Sequence, residues 1–258
     1  MKVFTQKRTE EAGFRSVKDA LKTLLPDVKQ WGGEAIEYSR VIGSFAKGTN
    51  VPGGADSDLL ISLAHDYNYA PVTIYRGLFE YLRRNGYPST RANHISIRVT
   101  VQGHEIDLIP ARRADSRSEN HRVFNRKTGE WAVTNLQTHT QYVALSGRLS
   151  EIRLMKLWRN SKDIFFPSFL LELAVIEALK GQKPLAQSKD LETHIREVLV
   201  YLATDFQSSS LTDPANPANI VSDDMLKIER TLVANAAQKS LAGGWKSFVE
   251  SWDRSAAD

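Results

Sequence analysis

The sequence predicts an α+β protein, with a mixed sheet and helices in the first half and a helical second half. Apolar residues alternate with polar ones in short runs between residues 38 and 109, as in strands with one buried face. From Thr138 onward the apolar spacing changes to three and four residues, the period of a helix. The 258 residues suffice for two domains, and we place the boundary between residues 135 and 136.

The composition is that of an ordinary globular protein, with 41% hydrophobic and 25% charged residues. No apolar run approaches the ~20 residues that a membrane span needs. The absence of cysteine excludes disulfides and thiolate metal sites. We therefore expect a cytoplasmic protein with no membrane partner. Its net charge of +4 is compatible with binding phosphate or nucleic acid.

The first third of the chain predicts a helix, two strands and a second helix. Apolar residues from Phe14 to Leu24 recur at helical intervals, which predicts a helix over residues 9–25 that ends at Pro26. The next elements are predicted as a strand at Tyr38–Ile42, a strand at Ser57–Leu63 and a helix at Pro71–Arg84. The turn-forming segment 85–88 ends that second helix.

A β-hairpin is predicted around residues 102–103, because Gln-Gly is a suitable two-residue turn. Its strands are Ile95–Val101 and His104–Ile109, the second stopped by Pro110. A two-residue turn pairs position 101 with 104 and position 98 with 107. Asp107 then lies beside Arg98 on the polar face, and we interpret Arg98 as its electrostatic partner.

The second half of the chain is predicted to consist of helices. Leu145, Leu149, Ile152 and Lys156 fall on one helical stripe. Further helices are predicted at Ser168–Lys180, Asp190–Asp205, Asp223–Ala237 and Gly244–Trp252, with a loop around Pro214 and Pro217. We expect these helices to form a C-terminal bundle.

A glycine-serine turn and a carboxylate pair are the first indications of chemistry. Gly43 and Ser44 follow one predicted strand, and Asp56 and Asp58 share one face at the start of the next. Carboxylates beside exposed backbone N–H groups suit a divalent metal and a nucleoside triphosphate. Ser44 is a candidate donor to phosphate, and Gly43 would let the backbone approach closely. The alternatives are a solvated loop and an ordinary turn serine, and Lys47 is interpreted as a surface charge.

Asp107 adds a third carboxylate from a separate strand. Together Asp56, Asp58 and Asp107 are the predicted catalytic and metal-binding residues. Oxygen ligands of this kind suit Mg²⁺, with Mn²⁺ as an alternative, and two such ions would activate a hydroxyl and steady a leaving pyrophosphate.

These residues resemble a known superfamily. Gly43-Ser44, Asp56-x-Asp58 and the later Asp107 are similar to the motif of polymerase β superfamily nucleotidyltransferases. Three later segments resemble the branch of oligoadenylate synthetases, cyclic GMP-AMP synthase and bacterial CD-NTases: Arg153–Arg159, Pro167–Glu172 and Asp213–Asn219. The resemblance implies that residues 1–135 are the catalytic core. It also implies that residues 136–258 are a helical lobe that packs on the core and closes the nucleotide cleft.

The same branch implies three further nucleotide-binding residues. A helical lysine and a following serine bind the donor triphosphate there, and a neighbouring aromatic residue stacks on a base. These roles correspond to Lys156, Ser168 and Phe169, the last standing where tyrosine is common. Lys156 lies on an apolar stripe, which is costly unless it has an anionic partner. The alternatives are a lysine that snorkels at a helix end and a serine that caps a helix.

The resemblance implies a Mg²⁺-dependent enzyme that joins NTPs, ATP among them, into a cyclic or linear second messenger and releases pyrophosphate. A role in antiviral defence goes with that branch. The alternative function is template-independent addition of nucleotides to an RNA or tRNA 3′ end, with nucleic acid as acceptor. A third is a nucleotide-binding sensor whose site has decayed. Base choice, linkage, and the identity of any activating protein partner are left open.

Overall fold

The computed structural model describes residues 2–51, 57–93, 95–126, 129–185 and 190–254. Asp56, predicted above as a catalytic residue, lies outside these described residues, as does the predicted glycine loop at 52–54. The chain divides into two compact units. The first comprises residues 1–45 with 56–136, and the second comprises residues 46–55 with 137–258.

The first unit contains a mixed sheet, as the sequence predicts. Its strands are β1 (Ile36–Ile42), β2 (Ser57–Leu63), β3 (Arg91–Ala92), β4 (Ile97–Val101), β5 (His104–Arg113), β6 (His121–Asn125) and β7 (Glu130–Thr134). The order is β1-β2-β5-β4-β3, and β6 pairs with both β5 and β7. Strands β2 and β5 run parallel, whereas β4 and β5 form an antiparallel hairpin.

Helices cover one face of this sheet. They are α1 (Lys2–Gly32) and α3 (Pro71–Arg84), while the short α2 (Gly43–Lys47) follows β1. Leu24 of α1 and Leu78 of α3 belong to one buried cluster with Leu59 of β2 and Leu108 of β5. Because side chains alternate along a strand, the intervening residues of β2 and β5 lie on the opposite face.

Several boundaries in this unit match the sequence prediction. Strand β2 and helix α3 have the predicted ends. The hairpin register is confirmed, with Val101 opposite His104 and Arg98 opposite Asp107. The turn residues 102 and 103 have φ angles of 50° and 82°. Two consecutive positive φ values fit a type I′ turn, which matches the twist of a hairpin.

Two prolines do not end the elements in which they lie, so two predictions are wrong. Helix α1 continues past Pro26 to Gly32. Leu24 and Val28 on either side of it are buried, and this packing offsets the lost hydrogen bond. Strand β5 continues past Pro110 to Arg113. That proline is aligned with Ile61 of β2, and on its other side it lies between the stretch paired with β4 and the stretch paired with β6, so a missing N–H is tolerated on that side.

The second unit is mainly helical. Its helices are α4 (Leu136–Ala144), α5 (Leu149–Ser161), α6 (Ser168–Ala178), α7 (Leu191–Thr204) and α8 (Lys227–Arg254). Buried Met155, Trp158, Leu170, Leu202 and Val233 belong to its core. Within the described residues, no helix is both long and apolar enough to cross a membrane.

Two details of the second unit differ from the prediction, and a third agrees with it. Leu145 is 83% exposed and follows α4, so it does not share the stripe of Ile152 and Lys156. The predicted loop around residues 214–217 contains a hairpin of β8 (Thr212–Asp213) and β9 (Asn216–Ile220). The two last predicted helices are confirmed as two helical segments within α8, separated at Gly244, where φ is 69° and ψ is 177°.

Candidate active site

Asp58 and Asp107 lie opposite each other in the parallel pair β2–β5. Neighbouring residues of both strands, Leu59 and Leu108, face the helix-covered core. The two aspartates therefore lie on the other face of the sheet, on strands about 4.8 Å apart. This register brings together two of the three predicted carboxylates.

Asp107 is held in a defined orientation. Arg98 donates from Nε to Oδ1 at 3.0 Å and from Nη2 to Oδ2 at 2.8 Å. Asn93 donates from Nδ2 to Oδ1 at 3.0 Å. Each carboxylate oxygen has two lone pairs, so Oδ2 keeps one that can bind a cation or accept a proton. The interpretation of Arg98 as the partner of Asp107 agrees with this geometry.

Gly43 brings backbone close to Asp58. A Cβ atom built at Gly43 would lie 1.8 Å from Oδ2 of Asp58, and its φ is +69°. Only glycine satisfies both conditions. Ser44 follows it in the first turn of α2, so the predicted glycine-serine turn is the start of a short helix.

The chemistry of this face fits a magnesium site. Asp58 and Asp107 offer carboxylate oxygens, the ligands that Mg²⁺ prefers, and Oδ2 of Asp107 has the lone pair for it. Within the described part of the chain, no group of three or more His, Asp or Glu residues could hold a metal. The predicted third carboxylate, Asp56, lies outside that part. The metal ligands therefore stay a prediction.

In the second unit, Lys156 has the anionic partner that the sequence argument required. Its Nζ donates to Oε1 of Glu172 at 2.6 Å and to Oγ1 of Thr49 at 2.9 Å. Lys47 donates to Oε2 of the same Glu172 at 2.8 Å. Both lysines and the glutamate are buried. Lys47 is therefore not the surface charge that we predicted, and Lys156 does not snorkel to solvent.

In this cluster two lysines share one carboxylate. Burial alone would raise the pKa of the Glu172 carboxyl, but the two lysines outweigh it and hold that pKa below its ordinary value. Burial lowers the pKa of Lys156, against the opposing effect of Glu172, and Lys47 lowers it further. The lowered pKa keeps Glu172 ionised at neutral pH, as the shared partner of both lysines.

The ring of Phe169 contacts two basic side chains. The Nζ of Lys47 lies 4.5 Å from the centroid of its ring. The ring of His139 lies 4.4 Å from it, tilted by 34°. His139 in turn contacts Oδ1 of Asp213 through Nε2 at 2.6 Å. Burial lowers the pKa of His139, although Asp213 opposes this shift.

Ser168 is the first residue of α6, and it does not cap that helix. The N-cap is Pro167, which has no side-chain hydrogen bond. Arg159 donates from Nη1 to Oγ of Ser168 at 3.0 Å. The alternative of Ser168 as a helix cap is therefore wrong, and the serine lies exposed beside a guanidinium.

Sequence reasoning assigned no role to Glu172, Thr49 or His139. A signal for Glu172 was present, because it is a lone carboxylate in the otherwise apolar first turns of α6. A charge in such a stretch is costly unless it is paired. Thr49 and His139 carried no comparable signal.

The fold and the paired aspartates define the class of this protein: it is a polymerase β-like nucleotidyltransferase domain with a C-terminal helical part. Within that class the chain belongs to the family of the Second Messenger Oligonucleotide or Dinucleotide Synthetase domain, whose model matches residues 6–145, more than half of the chain.

Solved structures of the same fold are similar over most of the chain. CdnC of Escherichia coli MS115-1, in a complex with HORMA-deltaN, has a TM-score of 0.67 and 18% identity, covering 92% of this chain and 84% of that one. The CD-NTase CdnG of Bradyrhizobium diazoefficiens, in complex with GTP, has a TM-score of 0.66 and 12% identity. The match covers 87% of this chain and 84% of that one.

Curated relatives with sequence similarity are CCA-adding enzymes. That of Sulfurisphaera tokodaii is 26% identical over 197 residues, which is 69% of this chain and 45% of the relative. The enzyme of Pyrococcus abyssi is 23% identical over 186 residues, which is 66% of this chain and 39% of the relative. The chain thus spans less than half the length of these two relatives.

Proposed function

We propose that this protein is a Mg²⁺-dependent nucleotidyltransferase that joins NTPs into a cyclic or linear oligonucleotide second messenger. The observation that carries the proposal is the alignment of Asp58 with Asp107 across β2–β5, with Asp107 fixed by Arg98. Membership of the second-messenger synthetase family supports the product class.

The proposed step is a displacement at the α-phosphorus of a donor NTP. The oxygen of an acceptor hydroxyl forms a bond to that phosphorus, the bond to the β-phosphate oxygen breaks, and pyrophosphate leaves. Asp107 accepts the hydroxyl proton at Oδ2, the oxygen that has a free lone pair. Asp56 and Asp58 would hold Mg²⁺, which would polarise the phosphate and stabilise the charge on the leaving group, while Oδ2 of Asp107 stays available for the proton.

The second unit would hold the donor nucleotide. Lys156 uses two of its three N–H groups on Glu172 and Thr49, and Lys47 uses one on Glu172, so both keep donors for phosphate oxygens. Glu172 keeps the two ammonium groups together. Ser168 would donate to the triphosphate, and Phe169 would stack on the base.

Product analysis tests this proposal. The protein is incubated with Mg²⁺ and all four NTPs, ATP among them, and the products are separated and identified by mass. We expect pyrophosphate release and a small oligonucleotide, both absent with Asp58→Asn and with Asp107→Asn. Activity of either variant at the wild-type level contradicts the assignment. Addition of HORMA-deltaN, which forms a complex with CdnC, is a further condition to include.

The similarity to CCA-adding enzymes favours a second candidate, the addition of nucleotides to a tRNA 3′ end. Radiolabelled NTPs with and without tRNA separate the two functions. Label attached to tRNA, lost in Asp107→Asn, would support the second candidate. Label in small soluble products without tRNA supports the first.

A further inference from the structure

A pair of arginines lies on the sheet face opposite the aspartates. Arg112 is five residues after Asp107 in β5, so its side chain lies on the other face. It is aligned with Arg122 of β6. Like charges directly opposite each other in a sheet are destabilising. Burial and the charge of Arg122 both lower the pKa of Arg112.

Neither guanidinium has a carboxylate partner among the described residues. Arg112 donates from Nη1 only to neutral oxygens, the carbonyl of Tyr67 at 3.4 Å and Oδ1 of Asn68 at 3.3 Å. The Nε atoms of Arg112 and Arg122 are buried and make no hydrogen bond within that part of the chain. Two adjacent cations with unused donors form a site for an anion, and the planar fork of arginine matches phosphate.

Aromatic rings border this pair. The guanidinium of Arg112 lies 5.0 Å from the ring centroid of Trp131. Tyr67, whose carbonyl accepts from Arg112, packs its ring 4.8 Å from that of Tyr69. Tyr69 is 55% exposed, so its ring is accessible from solvent. Arginine near an exposed aromatic ring is a combination that binds single-stranded nucleotides, because phosphates pair with the cation and bases stack on the ring.

We propose that Arg112 and Arg122 bind a nucleotide phosphate, with the base stacked on Tyr69, at a site distinct from the carboxylate face. The ligand chemistry is a phosphate next to a base. Two sources supply it: a free mononucleotide and the backbone of a single-stranded oligonucleotide. Binding there removes the like-charge repulsion between the two strands.

Binding by the whole protein without divalent metal tests the proposal. The probes are a fluorescein-labelled oligoadenylate of about eight nucleotides, followed by anisotropy, and AMP, followed by calorimetry. We expect Arg122→Glu to weaken binding at least about tenfold, since it replaces a charged donor with a like charge to the phosphate. The matched control is Arg83→Glu on the exposed part of α3, which changes the charge equally and should alter binding by less than about twofold.

Two further measurements complete the test, one of stability and one of binding. Arg122→Glu places an opposite charge beside Arg112, so its Tm should be no lower than that of the wild type. Tyr69→Ala, at an exposed position, should weaken binding about five- to tenfold through lost stacking. Equal losses for AMP and the oligonucleotide identify a mononucleotide site, and a loss for the oligonucleotide alone identifies a strand site. If neither Arg122→Glu nor Tyr69→Ala binds either probe more weakly than Arg83→Glu, the proposal is overturned.

Discussion

Arg98 holds Asp107 through two hydrogen bonds, one to each carboxylate oxygen, at 3.0 Å and 2.8 Å. The register of the β4–β5 hairpin places these residues opposite each other. A fork of this kind fixes both the position and the rotation of the carboxylate. Arg98 is therefore a positioning residue for the proposed proton acceptor.

Replacement of Arg98 by lysine should reduce kcat with little effect on KM. Lysine keeps the charge but cannot make two parallel hydrogen bonds. We expect kcat for pyrophosphate release to fall about tenfold and KM for the NTP to change by less than about twofold. The control is Glu105→Gln, which removes the negative charge that pairs with Nη1 of Arg98 at 3.0 Å. Equal losses in both variants would show that Arg98 does not act through Asp107.

Gly43→Ala should abolish activity by displacing Asp58. The added Cβ would lie 1.8 Å from Oδ2 of Asp58, at a φ of +69°. Gly48→Ala is the matched control, because Gly48 has a φ of +72° but its Cβ would lie at an ordinary 3.6 Å from Leu149. Both variants should lose about 1–2 kcal/mol of stability from the left-handed backbone. Only Gly43→Ala should lose pyrophosphate release, and retained activity there contradicts the close approach.

Glu172→Gln should destabilise the protein strongly. The change leaves Lys47 and Lys156 buried without their shared carboxylate. Breaking a buried ion pair by removing one partner costs about 3–5 kcal/mol, measured as the free energy of unfolding in urea.

Two comparisons check this explanation. Lys47→Met should cost less than Glu172→Gln, because it leaves Glu172 balanced by Lys156. Glu177→Gln, whose carboxylate pairs with the exposed Lys180, should change stability by less than about 0.5 kcal/mol. A larger loss for Lys47→Met than for Glu172→Gln would refute the account of the cluster.

Stability should fall as the pH drops below about 6.5, the ordinary pKa of histidine. His121 is buried, its Nε2 lies 2.9 Å from Oγ of Ser62, and burial lowers its pKa. The unfolded chain therefore takes up a proton near pH 6.5 while the folded one does not, so stability is complete above that pH and declines below it.

Urea unfolding between about pH 8 and pH 5 measures this decline. His121→Gln, which removes the titrating group, should make the decline shallower. His139 has a lowered pKa as well and should account for part of the remaining slope. An identical decline in His121→Gln and the wild type would show that His121 does not contribute.

Local sequence patterns determined much of the first unit. The ends of β2 and α3 and the register of the β4–β5 hairpin follow from alternation, helix periodicity and a two-residue turn. These signals are local because a turn and the strands beside it lie within a few residues. The prolines at positions 26 and 110 were misinterpreted, because packing and strand pairing elsewhere decide whether a proline ends an element.

The sequence by itself determined the class of chemistry, because Asp58, Asp107 and the Gly43-Ser44 segment form a pattern that can be read from residue types and spacing. Only the tertiary structure decided which charges share a partner. Lys47, Lys156 and Glu172 lie far apart in the chain, yet one buried carboxylate pairs with both lysines. The physical reason is that burial makes an unpaired charge costly, and which groups become buried together depends on the packing of α5 and α6, not on local periodicity.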